Sequence, residues 1–99
     1  MTDKEVIVVA QIRAKDGVEE TVKQELAALV DPTLSEKGCL TYALHQSVEN
    51  KSHFMFYEKW MSKKDLDEHM QMPHMKAHQK KAKDLFAEPP KITLWEVIR

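Results

Sequence analysis

Three histidines fall within ten positions of this chain, His69, His74 and His78, and an acid and an indole, Glu58 and Trp60, lie shortly before them. An imidazole titrates near neutrality, so a histidine facing a cavity can take a proton from a phenol or an enol. His69 stands at the end of a short helix, where that role and a solvated or capping role both fit. His74 and His78 are four apart and share a side of one helix. Imidazoles at that spacing can begin a metal site, but a site needs a third ligand and supporting contacts. His69 precedes a proline break, and no neighbouring carboxylate is clearly aimed at the group. No metal is therefore expected. His78 falls on an apolar stripe, which suits a core histidine bonded to a carbonyl as well as a pocket lining. Trp60 can wall an apolar pocket and offer its N–H to a substrate oxygen, or simply pack in a core. Glu58 shares a strand face with Phe54, Phe56 and Trp60, where a bare carboxylate is costly. A structural ion pair, with Arg13 or a neighbour of Lys59, is the expected answer, ahead of a role as proton acceptor. His74, Lys76, His78, Lys80, Lys81 and Lys83 form a basic run that reads as a solvated helix face before it reads as a phosphate site.

The elements that position these groups follow from periodicity. Val6 to Ile12 is β-branched and apolar on both alternating faces, as in a central strand. Asp16-Gly17 turns the chain. Val18, Val22, Leu26 and Leu29 recur at helical spacing. That helix is predicted to run to about Glu36, with Gly38 as a left-handed cap. Pro32 should kink or interrupt its last turns. Leu40 to Val48 and Ser52 to Met61 read as strands around the polar turn Glu49-Asn50-Lys51. Ser62 suits the N-cap of a short helix to about Met70. Pro73 suits the first turn of another, running to about Phe86 with Met75, His78, Ala82 and Leu85 inward. Pro89-Pro90 ends it, and Ile92 to Ile98 reads as a last strand. The order β-α-β-β-α-β, with its second helix broken in two, predicts an α+β, ferredoxin-like antiparallel sheet. Helices in that arrangement cover one face only. The first and third strands are apolar on both, so a second copy of the sheet is expected to cover the other, giving a homodimer.

Ninety-nine residues suggest one domain, residues 1–99. A net charge of −1 gives no global pull toward nucleic acid or anionic membrane, and neither is an expected partner. No apolar run approaches the length of a membrane span. Met1 to Glu5 lacks the basic and apolar segments of a secretory leader. The lone Cys39 excludes an internal disulfide framework. A cytoplasmic protein is expected. There is no Gly-rich phosphate loop, no Cys-His or Ser-His-Asp arrangement can be assembled from the sequence, and no cofactor is expected.

Several segments stand in order over nearly the whole chain. They are Asp16-Gly17 after the first strand, Glu36-Lys-Gly38-Cys39-Leu-Thr-Tyr42, Phe54-x-Phe56-x-Glu58-x-Trp60, and His69 with Pro73-His74. Together they resemble the antibiotic biosynthesis monooxygenase family. The resemblance implies a dimeric α+β barrel with a pocket between sheet and helices in each subunit. It also implies oxidation of a quinol or related phenol by O2 without flavin, haem or metal. On that analogy His69 is the proton acceptor and His74 a second catalytic or pocket residue. Trp60, Tyr42, Phe56 and His78 would contact the substrate. A haem-degrading branch carries an Asn on its first strand, a Trp near the end of the short helix and an axial His on the last helix. This chain has Ala10-Gln11 in the first place and His69 near the second, while His78 loosely matches the axial His, and two departures of three argue against haem. An isomerase branch, acting on a small phosphorylated carbonyl compound, would use the same histidines. A non-enzymatic dimer that binds a small ligand is the third reading.

Overall fold

A computed structural model describes residues 4–99. Met1 to Asp3, part of the N-terminal stretch read above for a leader, lie outside the described residues. Four strands, β1 (Val6–Arg13), β2 (Cys39–Gln46), β3 (His53–Trp60) and β4 (Lys91–Trp95), form an antiparallel sheet in the order β2-β3-β1-β4. With helices between β1 and β2 and between β3 and β4, this is the ferredoxin-like α+β fold the sequence predicts. The branched β1 occupies the sheet interior, where both faces of a strand meet other atoms.

One face of the sheet carries Val8, Ala10 and Ile12 of β1 with Phe54, Phe56, Glu58 and Trp60 of β3, all buried under the helices. Trp60 and Phe54 are almost wholly enclosed. Each such aromatic contributes roughly 1.5–3 kcal/mol through burial. The opposite face, with Ile7, Val9, Met55, Tyr57 and Trp95, stays partly accessible. Alternation of two residues along β1 and β3 thus divides covered from uncovered side chains.

The first helical region is split. α1 (Glu19–Ala27) and α2 (Val30–Leu34) are separated at Ala28-Leu29. Pro32 explains the position: it has no N–H for the Ala28 carbonyl, and its ring crowds that carbonyl. Gly17, at φ 88°, makes the turn before α1. Gly38 is not the left-handed cap predicted, since Gly17 alone has a positive φ among the described residues. It is glycine for a different reason: a Cβ there would overlap the Asp65 side chain. α3 (Lys63–His69) starts as predicted, with the Ser62 hydroxyl accepting from the Asp65 N–H at 3.2 Å. α4 (Pro73–Leu85) has its proline in the first turn. Its C-terminus is tied to the end of β1 by Lys15 N–H to the Leu85 carbonyl (2.9 Å) and Ala87 N–H to the Arg13 carbonyl (2.8 Å). β4 ends at Trp95, three residues before its predicted end.

Candidate functional site

Between the helix-side face of the sheet and α3–α4 lies a cavity of about 490 Å³. Val8, Ala10, Ile12, Phe56, Glu58 and Tyr42 form its floor, and Leu66, His69, Met70, Met75 and His78 form its roof. Gln79, Lys83 and the segment Phe86 to Pro90 complete it, together with Ile92 of β4. The lining is mostly apolar, as ligand cavities are, with a few convergent polar groups.

Tyr42 reaches this floor through an irregularity. Cys39 pairs with Trp60, yet Tyr42 pairs with Glu58, because the register shifts between Cys39 and Thr41. The extra residue moves Tyr42 opposite Glu58 and onto the buried face. Its ring stacks on Phe56 with centroids 4.5 Å apart. Burial, reinforced by the Glu58 charge, pushes the Tyr42 phenol well above its ordinary range, so it stays neutral. Cys39, at the start of β2, is half-buried, and burial with the nearby Glu36 and Glu58 pushes its thiol up to about 11.

Glu36, in the connection after α2, organises the histidines. One of its oxygens, Oε2, lies 2.7 Å from Nδ1 of His69 and 2.9 Å from Nε2 of His74. A carboxylate only accepts, so both imidazoles donate to it. Thr33 Oγ1 lies 3.3 Å from the same His74 nitrogen. Among the described residues, no buried side-chain nitrogen or oxygen lacks a partner. His69 finds its protein partner through Nδ1, so Nε2 is the nitrogen open to the cavity that the ring lines. Burial lowers the His69 pKa, against the opposing pull of Glu36, and leaves Nε2 a neutral acceptor. The sequence showed no carboxylate aimed at the histidines; the structure supplies one. Ligand-type atoms of Glu36, His69 and His74 lie within 4.8 Å of one another, as a metal would require. The two donated hydrogen bonds satisfy the group as it stands.

His78 takes a parallel arrangement, with Nδ1 3.4 Å from Glu25 Oε1 and its ring on the cavity. Burial lowers its pKa as well. Glu25 also meets Lys81 at 3.6 Å on the exposed side of α4. His69, His78, Tyr42 and Phe56 therefore share one cavity. His74 does not line it; it turns to Glu36 and Thr33. Nor does Trp60, which is wholly buried and donates its N–H to Glu58 Oε1 at 2.9 Å rather than to a substrate. Its indole packs on the His69 ring, centroids 4.6 Å apart.

Glu58 departs most from expectation. Arg13 pairs with Glu88 at the surface and Lys59 with Glu5, and neither reaches Glu58. Arg13 stands opposite His53 in the sheet, far along β1 from Val8, the partner of Glu58. With no salt-bridge partner among the described residues, burial pushes the Glu58 carboxyl up to about 7, helped by Glu36 and opposed by the Trp60 hydrogen bond.

The family described as "Antibiotic biosynthesis monooxygenase" matches residues 5–81. The Escherichia coli protein named "Probable quinol monooxygenase YgiN" is 34% identical over 87 residues, covering 77% of this chain and 83% of that protein. An uncharacterized Synechocystis protein, sll1783, is 27% identical over 96% of the chain, which spans only 65% of that relative's length. The crystal structure of PA3566 from Pseudomonas aeruginosa superposes with a TM-score of 0.94 at 28% identity, covering 100% of this chain and 99% of that one. Rv0793 from Mycobacterium tuberculosis superposes at 0.91 with 25% identity, covering 97% of each chain.

Proposed function

Because the chain belongs to the antibiotic biosynthesis monooxygenase family, we propose that it oxidises a quinol or related phenol with O2, using His69 as proton acceptor and no cofactor. The observation that carries this reading is the Glu36–His69 pair on the wall of the apolar cavity. A flat aromatic ring seats against Tyr42 and Phe56. Its hydroxyl loses a proton to Nε2 of His69. Glu36 fixes the tautomer that exposes Nε2 and stabilises the imidazolium that forms, as a carboxylate does behind any histidine base. The phenolate is electron-rich enough to pass one electron to O2. Superoxide and the aryloxyl radical then join at a ring carbon. Apolar walls favour this step by keeping water from the radical pair. The name borne by the Escherichia coli relative points to the same substrate class.

His74 acts here by holding Glu36, and His78 by lining the cavity. We place the protein in the cytoplasm as a homodimer, its uncovered sheet faces back to back. No helix among the described residues is long and apolar enough to cross a membrane. Lys83 on the cavity rim supports a second reading, an isomerase of a small phosphorylated carbonyl compound.

Oxygen uptake across a panel of hydroquinones tests the proposal. Wild-type protein should consume O2, and His69→Gln should lower kcat by roughly 10²- to 10⁴-fold, the usual contribution of a positioned base. No uptake, or an unimpaired His69→Gln, overturns it. Hydrogen exchange at a substrate carbon without O2 uptake would favour the isomerase.

A further inference from the structure

The sheet side of the cavity carries a buried carboxyl, Glu58. Glu58 is 5% exposed, lines the cavity from β3, and has no cation partner among the described residues. One oxygen is pinned by the Trp60 N–H. The other finds no hydrogen-bond partner among the described residues, and no buried polar atom there is orphaned, so it opens onto the cavity. The titratable and polar groups around Glu58 are Trp60 beside it on β3, Tyr42 and Cys39 on β2, Glu36 in the connection before β2, and His69 of α3 on the same cavity, kept neutral by burial. None is a cation, and the charge of Glu36 discourages ionisation. Trp60 is the shared wall of the two sites, with its N–H edge on Glu58 and its face on His69.

Resting on the monooxygenase reading, we propose that Glu58 is the general acid that completes the reaction, protonating the oxygen that leaves as water. The balance requires such a donor. His69 first takes the phenolic proton. After superoxide joins the ring carbon, His69 returns that proton to the peroxide, giving a C–OOH group on a carbon that still bears hydrogen. His69 then removes the carbon-bound proton. The electron pair of the C–H bond forms the new C=O bond, and the O–O bond breaks. The departing hydroxide takes the Glu58 proton and leaves as water. A proton passing from His69 to Glu58 restores the starting state. The sum is quinol plus O2 giving hydroxyquinone plus water, so O2 is the only oxidant and no outside reductant is needed. With a carboxyl pKa near neutrality, Glu58 can both give and regain that proton at working pH.

Glu58→Gln tests this. Its amide can still accept from Trp60 and donate into the cavity, but cannot deliver a proton. We expect O2 uptake to continue while the product changes: quinone and hydrogen peroxide replace hydroxyquinone and water. Hydroxyquinone formation should fall roughly 10²-fold or more, with KM little changed. A purely structural role would lower activity without altering the product ratio. Trp60→Phe provides a second measurement. It removes the hydrogen bond that favours the charged carboxylate, so the alkaline limb of hydroxyquinone formation should move to higher pH. Wild-type product ratios in Glu58→Gln overturn this inference and leave the monooxygenase reading standing. A wild-type protein that consumes no O2 with any quinol overturns both.

Discussion

Buried with no salt-bridge partner among the described residues, Glu58 weighs on stability as well as on chemistry. An ordinary glutamate ionises near 4.5, and this one near 7. Below about 4.5 both folded and unfolded forms hold the proton, and the fold carries no penalty. As pH rises toward 7 the unfolded chain releases the proton first, so stability falls, by up to about 3 kcal/mol. His69 runs the other way: its lowered pKa costs stability as pH falls through the ordinary value of 6.5. Glu58→Gln should therefore gain on wild type between pH 4 and 8. Urea midpoints at pH 4, 6 and 8 measure it, and parallel curves for the two proteins would refute it. The residue types at this site were legible in the sequence, but their partners were not. Glu36 is 33 positions from His69 and 38 from His74. Nothing local in its helix-end setting points to either. Its place in the Glu-x-Gly-Cys segment was the available signal. The cost of a bare buried carboxylate points to an ion pair for Glu58; among the described residues Arg13 pairs with Glu88 and Lys59 with Glu5, and no salt bridge reaches Glu58.

At the scale of elements, start signals read well and backbone exceptions did not. Ser62 and Pro73 began their helices because each supplies something a first turn needs, an acceptor or a fixed φ. The bulge near Leu40 left no mark in composition, yet it decides that Tyr42 enters the cavity. Gly38 was recognised as special for the wrong reason. Its missing side chain lets the turn before β2, which carries Glu36, rest against Asp65 of α3. Gly38→Ala would force Cβ into the Asp65 side chain, which is itself held by Ser62. We expect a loss of about 1–3 kcal/mol, read as a lower urea midpoint at unchanged m-value. The displaced turn should also move Glu36, so kcat should fall in the fraction that remains folded. A Gly38→Ala protein as stable and active as wild type would show that the contact is slack.

For the whole molecule, the ferredoxin-like sheet and the one-sided placement of helices followed from the β-α-β-β-α-β succession of elements. The oligomeric state rests on what those helices leave uncovered. Ile7, Val9, Met55, Tyr57 and Trp95 share the open face, and Trp95 is 57% exposed. A chain of 99 residues buries a limited share of its own surface, so pairing these faces would add to its stability. Sedimentation should give twice the 11.5 kDa chain mass, and Val9→Asp with Tyr57→Asp should give the chain mass alone. A monomeric wild type would refute the pairing. The single thiol of the chain, on Cys39, is half-buried, and burial pushes its pKa up to about 11, so it is protonated at neutral pH. Maleimides and disulfide reagents, which need a thiolate, will find little to attack there at neutral pH. A cysteine introduced on the exposed side of α4 could then carry a fluorophore by itself, turning the unmodified background of this protein into an optical gauge of cavity occupancy.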